Sequence, residues 1–164
     1  MNPDGVLQLF DACAGVMYDT AIIRRTESEW REILIPAVFR VARKAGTEPP
    51  FSGIYTKCDK EGVYACACCG AHLFFSNDKF TSGTGWPSFS RPVSPVNVEL
   101  HPDASHGMRR TEVLCRRCKA HLGHVFDDGP LPDGKRYCMN SLSLSLIDCG
   151  TEKSDTHMAK SGHE

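Results

Sequence analysis

The chain has 164 residues, of which 41% are hydrophobic and 24% charged, and its formal net charge is −1. This length fits one globular domain, and the composition is ordinary for a soluble protein. The balanced charge argues against nucleic-acid and membrane-surface partners, and no apolar run is long enough to span a bilayer. Residues 1–25 lack the basic start and unbroken apolar stretch of a secretory signal, so we expect a cytoplasmic monomer.

Helices are predicted near the start of the chain. Residues 1–25 form an N-terminal arm, in which loosely recurring apolar residues favour a helix. Thr26 and Glu29 have the spacing of a capping box and predict that a helix begins there. A second helix is predicted to begin at Pro36, which suits a first helical position, and to end with Gly46 as its cap.

Beyond residue 62 the sequence favours strands. Short runs of strand-forming residues lie between clusters of Gly, Pro, Asp and Asn. These runs are Val63–Cys66, Leu73–Phe75, Val96–Leu100, Met108–Leu114 and His121–Phe126. The alternation of serine and leucine over Ser141–Leu146 predicts a half-buried antiparallel strand. We therefore expect a mainly β domain over residues 26–147, followed by a flexible tail over residues 148–164.

The cysteines suggest metal binding. Their number, nine, is odd, which argues against a fully paired secreted framework and favours metal or redox chemistry in a reducing compartment. Cys66 with Cys69, and Cys115 with Cys118, form two Cys-x-x-Cys pairs. Two such turns supply the four thiolates of one closed, structural Zn²⁺ site, and we expect no organic cofactor. The alternative is a metal-free redox dithiol.

Cys138 lies outside both pairs, between Arg136 and Asn140. A neighbouring cation stabilises a thiolate and so converts a cysteine into a nucleophile. Asn140, two residues further along a strand, would point to the same face and could donate a hydrogen bond. The alternative is a buried structural cysteine.

His121 and His124 are candidate proton donors. On a regular strand residues three apart point to opposite faces, but a bulge at Gly123 would bring both rings to one side. Histidines there could act as general acids near neutral pH. Their alternatives are zinc ligation or structural positions. Trp86, on a loop between a glycine and a proline, could line a small apolar pocket or belong to the core.

A basic cluster around the second cysteine pair offers a different function. Its members are Arg109, Arg110, Arg116, Arg117 and Lys119. With the zinc turns they could form a ribbon-like nucleic-acid-binding module, although a solvated face fits the neutral overall charge better.

Taken in order, seven stretches resemble the type B methionine sulfoxide reductases, which reduce the R epimer of methionine sulfoxide. The resemblance runs roughly from residue 27 to residue 146 without a large gap, and its matching stretches are Gly46–Gly53, Cys66–Gly70, Lys79–Phe89, His106–Val113, Cys115–Cys118, His121–Pro130 and Gly134–Ser141. The resemblance implies two small antiparallel sheets, tent-like in arrangement, with a structural zinc at one end.

The resemblance also implies site residues. Cys138 would attack the sulfoxide sulfur and become a sulfenic acid as methionine leaves. His124, with His121 and Asn140, would bind and protonate the sulfoxide oxygen. Trp86 would pack against the ε-methyl group of the substrate.

His106 and Arg110 would complete the substrate-binding set, and Arg136 would support the site electrostatically. The implied partners are oxidised proteins, with free methionine sulfoxide as a further substrate, and a thioredoxin-type reductant.

The recycling step departs from the family pattern. Many members carry a resolving cysteine where this chain has Thr84, and others where it has Ser52. Either the reductant acts directly on the sulfenic acid, or another cysteine resolves it. The chain is long enough for any of three other cysteines to reach Cys138: Cys58, Cys13 and Cys149. Cys58 is favoured because its loop follows Ser52.

Overall fold

A computed structural model describes residues 5–152 of the chain, with side chains through residue 150. Helices α1 (Glu27–Ile33) and α2 (Pro36–Ala42) precede most of the strands, and a short helix α3 (Cys149–Glu152) follows them. None of these helices is long and apolar enough to cross a membrane. The strands are β1 Val6–Asp11, β2 Val16–Ala21, β3 Val63–Cys66, β4 His72–Phe75, β5 Lys79–Phe80, β6 Ser88–Phe89, β7 Val98–Asp103, β8 Arg110–Cys115, β9 His121–Phe126, β10 Arg136–Met139 and β11 Leu144–Ile147.

The strands form three antiparallel sheets. The largest has the order β5-β6-β10-β9-β8-β7, the second has the order β11-β3-β4, and β1 pairs with β2 in a hairpin. Between the two larger sheets, Tyr64 of β3 and Phe74 of β4 contact Phe89 of β6 at ring-centroid distances of 5.1 and 4.4 Å. All three rings are fully buried, so an aromatic core fixes one sheet against the other. The predicted mainly β fold with two antiparallel sheets is confirmed.

The N-terminal arm is the main difference from the sequence-based expectation. Its predicted helix is wrong, because β1 and β2 pair from Val6 opposite Ala21 to Asp11 opposite Val16. The turn closes where the Asp11 carboxylate accepts hydrogen bonds from the N–H groups of residues 13 and 14. Leu7 and Leu9 are buried on one face, a period of two that belongs to a strand.

The first predicted helix boundary is confirmed. The hydroxyl of Thr26 accepts a hydrogen bond from the N–H of Glu29 at 3.1 Å, and the Glu29 carboxylate accepts one from the N–H of Thr26 at 2.7 Å. This capping box begins α1 and directs Trp30, which is 2% exposed, into the core.

The second helix begins at Pro36 as predicted but ends at Ala42, earlier than expected. Ala45 takes a left-handed conformation with φ of +55°, and the N–H of Gly46 donates to the carbonyl oxygen of Arg40 at 3.1 Å. This closure is wider by one residue than a Schellman motif, and it has alanine rather than glycine in the left-handed position.

Most predicted strands are present, with ends that shift by up to three residues, but Ser141–Leu146 is not one strand. Residues 141–143 form a 3₁₀ turn before β11. The Ser143 hydroxyl donates to the carbonyl oxygen of His121 at 2.8 Å, and the Ser141 hydroxyl accepts from the N–H of Tyr55 at 3.2 Å. Ser141 and Ser143 are therefore buried backbone partners, and Ser145 in β11 is the exposed member of the three serines.

The C-terminal tail predicted over residues 148–164 begins with α3. Its remaining residues, 153–164, lie outside the described part of the chain.

Candidate active site and metal centre

The two Cys-x-x-Cys pairs meet in one cluster. Cys66 and Cys69 flank the turn between β3 and β4, and Cys115 and Cys118 flank the turn between β8 and β9. Their sulfurs lie within 4.8 Å of one another, with the Sγ atoms of Cys66 and Cys118 3.7 Å apart and those of Cys69 and Cys115 3.6 Å apart. Four sulfurs bound to one Zn²⁺ would be about 3.8 Å apart, so these residues fit a tetrahedral ion.

The two turns have the same backbone geometry. Gly70 and Lys119, which follow the second cysteine of each pair, have φ values of +81° and +66°. Each donates its N–H to the carbonyl oxygen of the first cysteine at 2.8 Å. Lys119, which we expected to be the weaker turn residue, thus takes the conformation of its glycine counterpart.

The cluster is closed to other proteins. All four cysteines are at most 7% exposed. A redox-active dithiol must be reachable by its exchange partner, and these buried sulfurs are not. Arg43 donates to the sulfur of Cys118 at 3.5 Å and to its carbonyl oxygen at 2.9 Å. Such a cation compensates the negative charge that four thiolates would leave around a divalent ion.

Cys138 lies within β10, which ends just before Asn140. It lies opposite His124 of β9 on one side and Ser88 of β6 on the other, and it is half-buried. Burial raises the pKa of the Cys138 thiol, while Arg136 and a hydrogen bond from Thr84 act in the opposite direction. The thiol is thus accessible and is placed beside groups that stabilise its thiolate.

The predicted bulge in β9 is present. The register with β8 shifts between Val113 and Leu114, and the rings of His121 and His124 meet edge to face with centroids 5.5 Å apart. At Gly123 a Cβ atom would lie only 2.0 Å from the carbonyl oxygen of Cys138, so β9 and β10 need glycine there. The close approach therefore places both imidazoles beside the thiol strand.

Each histidine is held by a carboxylate. Nε2 of His124 lies 2.7 Å from Oδ2 of Asp103, and Nδ1 of His121 lies 2.6 Å from Oε2 of Glu112. Burial lowers the pKa of His124, and its hydrogen bond to Asp103 partly offsets this. The same bond lowers the pKa of Asp103, which is therefore an ionised acceptor.

Sequence reasoning missed the roles of Asp103 and Glu112. Asp103 ends β7, and Glu112 lies opposite His124 in the pairing of β8 with β9. Neither has a local spacing relation to the histidines. The register of β7, β8 and β9 brings these carboxylates to the rings, and no short sequence motif specifies that register.

Asn140 differs from its predicted role. Its side chain is 3% exposed, its Oδ1 accepts from the N–H of Glu48 at 3.0 Å, and its Nδ2 donates to the carbonyl oxygen of Leu122 at 3.2 Å. Both ends of the amide are bonded to backbone, so Asn140 helps to position β9 and β10.

Trp86 is tied to the same backbone. Its Nε1 donates to the carbonyl oxygen of Glu48 at 3.0 Å. Glu48, whose side chain is 2% exposed and accepts from the N–H of Leu142, thus joins Trp86 to Asn140. Sequence reasoning also missed these hydrogen bonds, which connect residues far apart in the chain.

The two other predicted substrate-binding residues lie around Asp103. The guanidinium of Arg110 is 3.5 Å from the Asp103 carboxylate. His106 is exposed on the turn Ser105–Gly107, and the N–H of Ser105 donates to Asp103 at 2.9 Å. Asp103 therefore links this turn, Arg110 and His124.

The structure separates the three candidate resolving cysteines. Cys13 and Cys149 form a disulfide with a Cα–Cα distance of 5.2 Å, so neither is free while it persists. Cys58 is a free, half-buried thiol. It lines a cavity of about 210 Å³ together with Trp86, Gly83 and Gly85, the last two of which flank Thr84.

The basic cluster has partners within the protein. Arg110 and Lys119 form ion pairs with acidic side chains of β7, and Arg117 donates to backbone carbonyl oxygens. These three cations are therefore engaged in the fold, which weakens the case for a nucleic-acid surface.

The site places the Cys138 thiol, which can donate electrons, beside two histidines, which can donate protons. This arrangement is typical of a thiol-dependent oxidoreductase. Here the metal-binding cluster closes the opposite end of the same β fold. Residues 34–148 match the SelR domain family, and the chain belongs to it. This is the family of type B methionine sulfoxide reductases, as the resemblance predicted.

Curated relatives agree with this assignment. The chain is 54% identical over 125 residues to the "Peptide methionine sulfoxide reductase MsrB" of Chromohalobacter salexigens, covering 76% of this chain and 94% of the relative. It is 52% identical over 124 residues to the proteins of the same name from Acinetobacter baylyi and Acinetobacter baumannii, covering 76% of this chain and 89% of each relative.

Proposed function

We propose that the chain reduces methionine-R-sulfoxide in oxidised proteins to methionine, with Cys138 as the nucleophile. Its family and relatives support methionine sulfoxide reduction. The observation that carries the residue assignment is the pairing of Cys138 directly opposite His124, which in turn is bonded to Asp103. This pairing puts a nucleophile and a proton source on neighbouring strands.

The proposed reaction moves two electrons from Cys138 to the substrate. The thiolate sulfur attacks the sulfoxide sulfur, the S–O bond of the substrate breaks, and the oxygen ends on Cys138 as a sulfenic acid while methionine leaves. The attack needs the thiolate, and the departing oxygen needs a proton. Arg136 and Thr84 favour the first requirement by opposing the effect of burial on the pKa of Cys138.

The histidines meet the second requirement. Nε2 of His124 faces Asp103, so in the imidazolium form the proton on Nδ1 is the one left for the substrate oxygen. Nδ1 of His121 is bonded to Glu112, so Nε2 of the same ring is the nitrogen that remains for the substrate oxygen. Asn140 acts in this scheme as a positioning residue for the strands that carry Cys138 and His121.

We assign the choice of epimer to Trp86. Its indole is fixed by the carbonyl oxygen of Glu48, so it offers a rigid apolar face to the ε-methyl group. A site that fixes the methyl group on one side and the oxygen on the side of His124 accepts one configuration at sulfur. His106 and Arg110 are proposed to contact the rest of the substrate, on the side of Asp103.

We further propose that Cys58 resolves the sulfenic acid. Its thiol would attack the Cys138 sulfur, release water and form a disulfide that a thioredoxin-type dithiol reduces. The shared cavity of Cys58 and Trp86 supports this choice, as does the disulfide between Cys13 and Cys149. Peptide mapping under non-reducing conditions, after one equivalent of substrate without reductant, should show Cys58 joined to Cys138. A Cys138 sulfenic acid that persists would instead favour direct reduction.

The function is tested by turnover of both epimers of a methionine sulfoxide peptide with dithiothreitol. We expect the wild type to reduce only the R epimer and Cys138→Ser to be inactive. Cys149→Ser is the matched control, because it also removes a sulfur but outside the site, and it should retain turnover. Equal turnover of both epimers, or activity in Cys138→Ser, would refute the proposal.

A further inference from the structure

The hairpin of β1 and β2 is an addition to the matched domain. It precedes the SelR match at residues 34–148, and Cys149 lies just after that match. The hairpin nevertheless contributes two core side chains, Leu7 and Leu9, which are 5% and 0% exposed. The hairpin therefore joins the core through residues outside the matched range.

One end of the hairpin is bound to the metal-binding cluster through Arg117. This residue lies inside the turn between Cys115 and Cys118. Its carbonyl oxygen accepts from the N–H of Ile23 at 2.9 Å, and its Nε donates to the carbonyl oxygen of Ala21 at 3.2 Å. Its Nη1 lies 3.5 Å from the carbonyl oxygen of Cys69. Arg117 thus connects the end of β2 to both cysteine turns.

The middle of the hairpin packs against the same buried core. Tyr18 of β2 contacts the core group that contains Cys69 and Cys115. A chelator approaching the sulfurs on this side would have to displace the hairpin.

The other end of the hairpin is its turn, which carries Cys13. The N–H of Ala12 donates to Nδ1 of His72 at 3.0 Å, and the side-chain amide of Asn97 exchanges two hydrogen bonds with the backbone of Phe10. The disulfide to Cys149 adds a covalent link across a sequence separation of 136. The turn is therefore held by hydrogen bonds that are always present and by one bond that redox conditions can open.

We propose that the Cys13–Cys149 disulfide forms and breaks with redox conditions and, when formed, holds the hairpin in place. The hairpin held in this way slows loss of the metal from the four-cysteine cluster. Closure is thiol–disulfide exchange: the two thiols give two electrons and two protons to a small disulfide such as oxidised glutathione, which leaves as two thiols. A dithiol reductant reverses the step. The tether works because hydrogen bonds at the turn open and close transiently, whereas the disulfide keeps the turn in place while they are open.

The disulfide would protect the metal cluster most under oxidising conditions. Reducing compartments keep protein thiols reduced, so the link would form when oxidants rise, which is when methionine sulfoxide accumulates. The metal cluster would then be covered at the time when its thiolates are most at risk.

The test is the rate of zinc transfer from the full-length, zinc-loaded chain to a chromophoric chelator, 4-(2-pyridylazo)resorcinol. One sample is equilibrated with oxidised glutathione and one is reduced and then freed of reductant without air. We expect transfer to be at least roughly tenfold faster from the reduced sample, and reoxidation to restore the slow rate. This comparison needs no substitution, so it does not depend on the folding of a variant.

Two variants sharpen the test. Cys13→Ser should transfer zinc at the fast rate in both samples, whereas the matched control Cys58→Ser should keep the redox response. Equal rates in the oxidised and reduced wild type would overturn the inference alone, as would free thiols at Cys13 and Cys149 in the oxidised sample. A chain that holds no zinc in either state would overturn the inference together with the metal site.

Discussion

The four-cysteine cluster and the Cys138 strand show how differently one fold uses the same side chain. In the cluster, four sulfurs converge from two turns and are at most 7% exposed. Cys138 stands alone on a strand, half-buried, with Arg136 and His124 as neighbours. Sulfurs that face one another in a closed space suit a metal ion, whereas a single accessible sulfur beside a cation suits attack on a substrate.

The two regions also differ in how their polar neighbours are arranged. Arg43 and Arg117 donate to sulfur or carbonyl groups of the cluster and so hold its turns. Around Cys138, the carboxylates of Asp103 and Glu112 hold histidines that keep one ring nitrogen available. A metal centre is stable when all its groups are satisfied, but a catalytic site needs a group left free for the substrate.

The strongest way to test this contrast is to remove the metal. Stripping zinc with a chelator under denaturing conditions, then refolding without metal, should abolish the cooperative thermal transition. The expected loss is large, because structural Zn²⁺ contributes about 10–16 kcal/mol in small zinc domains. Circular dichroism against temperature measures it, and re-addition of zinc should restore the transition. An unchanged transition in the zinc-free chain would show that the cluster is not a structural metal site.

The next largest effect is expected at His124. His124→Gln should lower single-turnover reduction of the R epimer by about 10²–10⁴-fold, because it removes the proton source, while zinc content stays the same. The control is His101→Gln, which changes an exposed histidine of β7 bonded to Glu99. It should retain the wild-type rate. A His124→Gln rate within twofold of wild type would remove His124 from the proposed chemistry.

A smaller effect is expected from the disulfide, a third setting for cysteine in this chain. Cys149→Ser should lower the free energy of unfolding by about 2–4 kcal/mol, since the link closes a long loop. For a chain of this size the thermal midpoint should fall by roughly 10 °C. Scanning calorimetry of the oxidised samples measures the change, and the reduced wild type should match the variant. Equal midpoints for oxidised and reduced wild type would contradict it.

The smallest expected effect concerns the charge on Arg136. Because burial raises the pKa of Cys138, its alkylation by iodoacetamide should speed up as pH rises towards that raised pKa. Arg136→Met removes a group that lowers the pKa, so the profile should move to higher pH, by about one pH unit or less for a partly exposed pair. Peptide mass spectrometry follows the label at Cys138.

Lys135→Met provides the control for this last experiment. Lys135 also carries a positive charge near β10 and, like Arg136, is paired with an exposed aspartate, but it is not among the groups that lower the pKa of Cys138. Its removal should leave the Cys138 profile in place. A shift of the same size in both variants would mean that Cys138 responds to overall charge and not to Arg136.

Short-range patterns determined much of this protein from the sequence alone. The capping box at Thr26, the two Cys-x-x-Cys turns and the strand that carries both histidines are each complete within a few residues. Hydrogen bonds and backbone angles between near neighbours decide such features, so residue type and spacing are enough to predict them. Cys138, one of five cysteines outside both pairs, became the candidate nucleophile through its neighbours Arg136 and Asn140 and through the resemblance to the reductase family.

The tertiary structure decided what depends on residues distant in the chain. It placed Asp103 and Glu112 on the histidines through the register of three strands, and it turned Asn140 inward to the backbone. It also turned the N-terminal arm into a hairpin whose Cys13 meets Cys149. The physical reason is the same in each case. Strand register and chain closure are set by packing of the whole core, so a local stretch of sequence does not specify them.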